Sequence, residues 1–309
     1  MIAVDVMGGD HAPNMVLEGA YAAACKSVPV MLYGPEAFIC GWLDKKDPLW
    51  GRYAITVANA PDVIAMDEDP VGSVRHKQQS SLVSAVRSVA NNQCSAVLSA
   101  GNSGALMAAA TLVVGRGEGV ERPAIAGFLP TRQGHVLALD LGANTECRPQ
   151  HLYQFAHMGN SYIQDVLGKQ NPRIGLLANG HEEGKGSSLV KEAHQLLKTS
   201  SLNFIGNVEP GDIIANKADV IVCDGFAGNI LLKTMEAMCD MIGDLLSPEE
   251  QQRVQNLSYK GVGGALLLGI KRPVIVCHGK SDAATIENAV HFAWSVSRGP
   301  SRAESRGKS

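Results

Sequence analysis

The order of apolar and polar residues along the chain predicts buried strands that alternate with amphipathic helices. Eight short runs are rich in Val, Ile and Leu and lack a regular polar position, as expected for strands that are covered on both faces. The predicted strands are Ile2–Val6, Val30–Tyr33, Ile55–Ala58, Ala96–Ser99, Val136–Leu141, Ile174–Leu177, Val220–Cys223 and Val274–Cys277.

Segments between these strands repeat their apolar residues with helical spacing, which predicts helices that each bury one face. The apolar faces are Leu82, Val86 and Val89; Leu189, Ala193, Leu196 and Leu197; and Ile286, Ala289, Val290 and Ala293. Repeated alternation of strand and helix predicts an α/β fold with a mostly parallel, doubly wound (Rossmann-like) sheet. A closed barrel is the alternative, and the irregular spacing of the strands disfavours it.

The chain contains no internal repeat and no obvious linker, so residues 1–297 are predicted to form a single α/β domain. A long helical stretch at Ile230–Leu246 precedes Ser247-Pro248-Glu249-Glu250, a typical start of a further helix. We therefore expect a short helical excursion from the sheet over residues 230–260. Residues 298–309 are polar and are predicted to form a tail.

Composition narrows the functional classes. Hydrophobic residues make up 45 % of the 309 positions and charged residues 18 %, which is typical of a folded globular protein. A net charge of -3 and an aromatic content of 5 % argue against nucleic acid as a partner. No apolar run approaches the ~20 residues that a membrane span needs. The seven cysteines form no C-x-x-C pair, which favours free thiols in a cytosolic protein.

Glycine-rich loops follow five of the predicted strands, where backbone N–H groups and helix N-termini favour anions. The loops are Met7–Pro13, Ser99–Ala105, Asp140–Asn144, Asn179–Ser187 and Asp224–Asn229. None has the spacing of a nucleotide-binding loop, a dinucleotide fingerprint or a nucleophile elbow. The pattern therefore predicts a site for phosphate or a similar anion without a nucleotide.

Among the nine histidines, His11 and His278 follow predicted strands and are candidates for the site. The adjacent pair Asp10-His11 is weak evidence for a metal because no further ligands follow at a suitable spacing. Neither a metal site nor a cofactor is predicted.

Several of these loops closely resemble motifs of the bacterial phosphate acyltransferase family, the acyl-ACP:phosphate acyltransferases. The motifs are Asp5–Pro13, Ser99–Met107, Arg122-Pro123-Ala124, Leu139–Asn144, and Asp224–Asn229 with Leu232-Lys233-Thr234. They occur in the family's order from residue 2 to residue 297. The chain departs from the family pattern at Ala178–Glu182, Arg75–Ser81 and His278–Asp282, and between Thr234 and Gly263 it is shorter than expected.

This resemblance implies an αβα sandwich and the conversion of acyl-ACP and inorganic phosphate to acyl phosphate and ACP. The product would supply phospholipid (phosphatidic acid) synthesis through a membrane glycerol-phosphate acyltransferase of the PlsY type. The resemblance also implies a cytoplasmic homodimer with peripheral membrane contact and without a cofactor.

Residue by residue, the resemblance assigns catalysis to Lys185 and Asn229. The positions that match substrate-binding motifs are Gly9, Asp10, His11, Asn102, Ser103, Gly104, Asn144, Gly228 and His278. Phosphate is itself a nucleophile and a thiolate, with a reference pKa of about 8.5, leaves readily. The protein would then need to position the reactants and to stabilise an oxyanion, in a direct displacement without an acyl-enzyme.

Two other functions remain open from the sequence. One is a phosphate acetyl- or butyryltransferase that uses acyl-CoA, and the other is an acyl-binding scaffold without catalysis. For the membrane, the apolar positions Met235, Met238, Met241, Ile242, Leu245 and Leu246 predict weak association. Acidic residues outnumber basic ones in Met235–Tyr259, so this association should be insensitive to salt.

Overall fold

A computed structural model describes residues 1–246 and 263–299 of the chain. The strands are β1 (Ile2–Asp5), β2 (Val30–Gly34), β3 (Ile55–Asn59), β4 (Ala96–Ser99), β5 (Ala124–Thr131), β6 (Gly134–Leu139), β7 (Ile174–Leu177), β8 (Phe204–Val208), β9 (Val220–Val222), β10 (Ala265–Leu268) and β11 (Val274–Val276). The α-helices are α1 (Asn14–Cys25), α2 (Glu36–Lys46), α3 (Pro70–His76), α4 (Ser81–Ala90), α5 (Ser103–Ala109), α6 (Pro149–Leu167), α7 (Ser188–Lys198), α8 (Pro210–Ile214), α9 (Gly225–Leu245) and α10 (Ala283–Arg298).

These strands form one sheet in the order β3-β2-β1-β4-β11-β10-β5-β6-β9-β7-β8. The first five strands are parallel to one another, and the last four are parallel to one another. Three antiparallel contacts, β11 with β10, β10 with β5 and β5 with β6, join the two groups. The predicted α/β fold with a mostly parallel sheet is confirmed, with an antiparallel centre.

All eight predicted strands are present, with ends that differ by at most two residues. The sequence reading missed β5, β8 and β10. Pro130 and Gly127 interrupt β5, which also alternates buried and partly exposed positions. β8 contains Gly206 and the polar Asn207, and β10 is short with Gly263, Gly264 and Gly269 around it. β5 and β8 therefore lack the continuous apolar run by which the others were recognised, whereas β10 has such a run, Ala265–Leu268, between glycines.

Helix predictions also hold where the structure describes the chain. Leu82, Val86 and Val89 are buried on α4, and the four predicted core residues of α10 are fully buried. On α7, Ala193 and Leu197 are fully buried. The first half of the predicted excursion is α9, whereas residues 247–262 lie outside the described part of the chain, as does most of the predicted tail.

The antiparallel centre has a direct consequence for the loops. Going across the sheet, β6, β7 and β9 run opposite to β1, β4 and β11. Each loop leaves at the carboxyl end of its strand. The five glycine-rich loops therefore form two groups that lie at opposite ends of the strands.

No helix in the described residues is long and apolar enough to cross a membrane. None of the seven cysteines, all of which lie in the described residues, forms a disulfide, and Cys94, Cys223 and Cys277 are buried.

Candidate active site

The first loop cluster, formed by the loops after β1, β4 and β11, packs backbone against backbone. A Cβ atom on Gly8 would lie 2.7 Å from the Gly101 amide nitrogen, so the first two loops touch where both residues lack a side chain. The Asp10 amide donates a hydrogen bond to the Gly279 carbonyl over 2.7 Å. This cluster contains seven of the predicted site residues: Gly9, Asp10, His11, Asn102, Ser103, Gly104 and His278.

Within this cluster, the Asn102 side chain has a structural role. Its side-chain oxygen accepts a hydrogen bond from the Ala105 amide and thereby caps α5. Its side-chain nitrogen lies 3.1 Å from the carbonyl oxygens of both Met66 and Glu68, to which it donates. The buried Asn102 amide thus holds the segment before α3 against the start of α5 and has few groups left for a substrate.

Asp5 lies beneath the same loops and is buried. The Ser99 hydroxyl donates to its Oδ2 over 2.6 Å and accepts from the Gly101 amide over 3.0 Å. Burial raises the pKa of the Asp5 carboxyl, and hydrogen bonds from Ser81 and Ser99 oppose this rise. Asp5 therefore supports the two glycine-rich turns from below.

The second loop cluster, formed by the loops after β6, β9 and β7, is centred on the buried carboxylate of Asp140. Its Oδ1 accepts from the amides of Ile125, Gly142 and Ala143, and its Oδ2 from the amide and the side chain of Asn144. Burial raises the pKa of Asp140, and the hydrogen bonds from Ala143, Asn144 and Ile125 oppose the rise. The Asn144 side chain also donates to the Pro123 carbonyl over 2.7 Å.

The start of α9 packs directly on this loop. Asp224 caps the helix by accepting from the Ala227 amide over 2.9 Å, and the Gly225 amide donates to the Asn144 carbonyl over 2.7 Å. A Cβ atom on Gly228 would lie 1.9 Å from the Asp140 carbonyl oxygen. Gly228 is therefore required for close packing, which is a sufficient reason for a glycine at this predicted binding position.

Asn229 is the fifth residue of α9, one turn from its start, and lies beside Gly142, with its Cβ 3.6 Å from the position of a Cβ on that glycine. Its side-chain amide makes no hydrogen bond with the described residues, in contrast to the amides of Asn102 and Asn144. The macrodipole of this long helix adds positive potential at the same place.

Lys185 lies in the loop after β7, in a turn that the Lys185 amide closes on the Glu182 carbonyl over 2.9 Å. Its aliphatic stem packs over Gly180. The Nζ atom makes no hydrogen bond or ion pair with the described residues. β9 is paired in parallel with both β6 and β7. The loop of Lys185, at the carboxyl end of β7, therefore lies next to the loops that carry Asn144 and Asn229.

Polar contacts fix the loop that carries Lys185. The His181 ring lies 2.6 Å from Asp212, and the Asn207 side chain donates to the Glu182 carbonyl over 2.9 Å. Lys198 pairs with Glu183 over 2.6 Å. The backbone N–H of Glu209 and the side chain of Lys217 hold the pKa of Asp212 well below its usual range, so Asp212 is an anion beside His181.

A groove of about 700 Å³ runs along α5 and connects the two clusters. At one end, Gly104 of the first cluster lies against Pro70, and at the other end Asn144 of the second cluster forms part of the wall. The apolar lining is Pro70, Val71, Met107, Ala108, Leu112 and Pro123. Four charged residues, Arg116, Glu121, Arg122 and Arg148, surround the Asn144 end.

The two thiols near Asp140, those of Cys147 and Cys223, are both shifted towards the protonated form. Burial and the charge of Asp140 raise the pKa of Cys147 to about 11, and burial raises that of Cys223 far above its ordinary value. In the described residues, no group of three or more His, Cys, Asp and Glu side chains could hold a metal ion.

The structure thus divides the predicted site residues: Lys185, Asn144, Gly228 and Asn229 lie in the second cluster, and the other seven lie in the first. The sequence reading gave no role to Asp140 and Arg122, although both stand in motifs that carried the resemblance. It also gave none to Arg148, for which the sequence offers no signal.

Solved structures define the class of fold. A phosphotransacetylase from Streptococcus pyogenes matches with a TM-score of 0.63 and 16 % identity, over 96 % of this chain and 94 % of that chain. A branched-chain phosphotransacylase from Enterococcus faecalis also has a TM-score of 0.63, at 15 % identity, over 97 % of this chain and all of the other. At these identities the similarity shows the fold, an α/β fold that also occurs in phosphotransacylases.

Sequence comparison gives the family. The model of a family described as "Fatty acid synthesis protein" matches residues 1–300. A phosphate acyltransferase from Syntrophotalea carbinolica is 43 % identical over 95 % of this chain and 89 % of that protein. One from Heliobacterium modesticaldum is 44 % identical over 94 % of this chain and 92 % of that protein. The chain therefore belongs to the fatty acid synthesis protein family that includes these phosphate acyltransferases, which confirms the resemblance seen in its motifs.

Proposed function

We propose that the protein transfers an acyl group from acyl-ACP to inorganic phosphate, giving acyl phosphate and ACP for phospholipid synthesis. Family membership supports the reaction. The geometric observation that carries the proposal is the second loop cluster. It exposes a lysine ammonium and an asparagine amide, both without a hydrogen bond to the described residues, next to the N-terminus of a 21-residue helix.

In the proposed mechanism, one oxygen of the phosphate attacks the thioester carbonyl carbon and the C–S bond then breaks. The carbonyl oxygen becomes an oxyanion in between, and Lys185 and Asn229 stabilise it together with the first turn of α9. The thiolate of ACP leaves as an anion and requires little assistance from an acid. The protein contributes position and charge, and no side chain is acylated.

The state of the cysteines supports direct displacement. Cys147 in the second cluster carries a thiol whose pKa is raised to about 11, so it is protonated and inert at neutral pH. We expect intersecting lines in initial-rate plots, as for a sequential mechanism. Parallel lines, or an acylated protein detected by mass spectrometry, would show an acyl-enzyme instead.

A second candidate is transfer from acyl-CoA to phosphate, which the fold shared with phosphotransacylases favours. Rates with acyl-ACP and acyl-CoA of the same chain length separate the two functions. The proposal predicts a higher kcat/KM for acyl-ACP, and a clear preference for acyl-CoA would contradict it. A scaffold that only binds acyl chains would release no thiol with either donor.

The proposal includes a cytoplasmic homodimer that feeds a membrane glycerol-phosphate acyltransferase of the PlsY type. Exposed apolar side chains on α9, at Ile230, Met238, Met241 and Leu245, support contact with a partner subunit or with lipid. We expect weak binding to liposomes that does not change between low and high salt. Tight binding to anionic vesicles that salt reverses would contradict this expectation.

A further inference from the structure

We infer that the groove along α5 holds the acyl chain of the substrate and of the acyl phosphate product, and that Arg122 binds the anionic head group. This inference rests on the proposed function, since it assigns the acyl subsite of the same reaction. Its occupant is a linear amphiphile with an apolar chain and a phosphate head.

The shape and the lining of the groove fit an acyl chain. Its volume of about 700 Å³ lies within the range of small-molecule sites. Met107, Ala108 and Leu112 form one wall along α5, and Val71 and Pro123 add apolar surface. From Gly104 to Leu112 the helix rises about 12 Å, which makes the groove elongated. Leu112 is 56 % exposed, so its side chain is accessible to an occupant of the groove.

The positive charge at the Asn144 end of the groove fits an anionic head group. Arg148 donates to the Glu121 carboxylate over 2.7 Å, and Arg116 donates to the Glu121 carbonyl. Arg122, however, makes no hydrogen bond or ion pair with the described residues. Its guanidinium is therefore available for two parallel hydrogen bonds to a phosphate.

This charged end of the groove lies close to the second loop cluster. The Asn144 side chain donates to the carbonyl of Pro123, the residue after Arg122, over 2.7 Å. The loop of Asn144 also contains Gly142, which touches Asn229. A head group on Arg122 would thus lie on the side of the groove that leads to the proposed reaction centre, with the acyl chain pointing away along α5.

The geometry of the helix around Leu112 is consistent with its place in the wall of a binding groove. After Ala109 the helix continues as a π-helical turn over Ala110–Val114, which includes Leu112. Such turns are frequent at functional sites because they widen the helix and redirect its side chains.

The test measures binding without turnover, by titration calorimetry with decyl phosphate and ethyl phosphate below the micellar concentration. Wild-type protein should bind decyl phosphate much more tightly, because each buried methylene is worth about fourfold in affinity. Leu112→Trp, which fills the groove, should weaken decyl phosphate binding at least about tenfold and leave ethyl phosphate binding unchanged. Arg122→Gln should weaken both by about tenfold or more.

Matched controls are Leu167→Trp, at a leucine of similar exposure (58 %) on α6, and Arg132→Gln, in the turn between β5 and β6. Both should bind like the wild type, and thermal melting checks that all four variants are folded. Equal affinity of wild-type protein for the two phosphates, or equal effects of the control substitutions, would overturn the inference. So would a Leu112→Trp variant that becomes monomeric yet binds decyl phosphate normally, since the groove would then be an interface between two copies.

These results are independent of the proposed reaction. If decyl phosphate binding depends on Leu112 and Arg122 but acyl-ACP and phosphate give no product, the proposed function fails and the subsite stands as a site for an alkyl phosphate. If the reaction proceeds but the two variants bind normally, only the inference about the groove fails.

Discussion

Hydrogen bonding separates the polar side chains of the two clusters into those that build the loops and those that face solvent. Asn102 and Asn144 each use their amides on backbone or carboxylate partners. Lys185 and Asn229 have no such partners among the described residues. Because a buried amide that loses its partners is costly, the first pair should matter for stability and the second for the reaction.

The same substitution at Asn102 and Asn229 tests this distinction. Asn102→Ala removes the cap of α5 and the side-chain donor to the part-buried carbonyls of Met66 and Glu68, so it should lower the free energy of unfolding by about 1–3 kcal/mol. Asn229→Ala should leave the urea midpoint nearly unchanged and reduce kcat/KM about 10²- to 10³-fold. Equal loss of stability in both variants would show that Asn229 is structural.

Lys185→Met keeps the aliphatic stem that packs over Gly180 and removes the charge. We expect kcat/KM to fall about 10²- to 10³-fold, because an oxyanion would lose a preorganised cation, while the melting temperature stays constant. Lys191→Met on the exposed face of α7 is the control and should behave like the wild type. Full activity of the Lys185 variant would remove this residue from the mechanism.

At the scale of elements, the packing of α9 on the loop after β6 sets the geometry of the second cluster. Gly228 and Gly225 allow the helix to approach the backbone of Asp140 and Asn144. A side chain at either position would push the helix start, and with it Asn229, away from the loop.

Gly228→Ala tests this packing. Its Cβ would lie 1.9 Å from the Asp140 carbonyl oxygen and 2.9 Å from the Cys223 sulfur, so we expect destabilisation by about 1–3 kcal/mol or more, together with loss of activity. Gly41→Ala in α2, where a Cβ meets nothing within 4 Å, should instead stabilise the protein by about 0.5–1 kcal/mol. Urea unfolding measures both, and a neutral Gly228→Ala would contradict the account of α9.

Ion pairs between Asp219 and the basic residues Lys169 and Arg173 also connect β9 to β7. Asp219, before β9, accepts from the Arg173 amide and guanidinium and from Lys169, and it is largely buried. Burial alone would raise the pKa of Asp219, but these donors lower it to about 2.

The ion pairs of Asp219 predict that the free energy of unfolding depends on pH. Because the folded pKa of Asp219 is below the unfolded value, its carboxylate stabilises the fold above about pH 4 and loses that effect as the pH falls through about 2. Asp219→Asn should therefore cost about 2 kcal/mol at pH 7 and much less near pH 2. A difference in unfolding free energy that is constant from pH 7 to pH 2 would show that the ionised carboxylate is not what stabilises these strands.

For the whole molecule, the sequence predicted the α/β fold and its mostly parallel sheet but not the antiparallel strands at the centre of that sheet. Continuous apolar runs marked eight strands, since burial on both faces leaves a local signal. Of the strands that reverse the sheet, β5 contains Gly127 and Pro130 and lacks that signal, whereas β10 is a short apolar run bordered by glycines. Their antiparallel pairing depends on contacts between distant segments, which one-dimensional periodicity does not contain.

The same limit applies to the site. Glycine-rich loops and family motifs identified the residues, because turns need glycine and polar caps at fixed positions. Their division into two clusters follows from strand direction, and so it could not be predicted from spacing. Neither could the free guanidinium of Arg122, since whether a side chain is paired depends on segments far apart in the chain. The Asp140 carboxylate differs, because four of its five donors belong to residues 142–144 and only Ile125 lies further away.

Following the oxygen atoms of phosphate tests most directly whether phosphate attacks the acyl group of acyl-ACP. Purified protein is incubated with palmitoyl-ACP and phosphate labelled with ¹⁸O at all positions, and the products are analysed by mass spectrometry. Direct attack predicts palmitoyl phosphate that retains every labelled oxygen, free ACP thiol in equal amount, and no acylated protein. Intact palmitoyl-ACP, or unlabelled palmitate as the sole acyl product, would contradict the proposed transfer to phosphate.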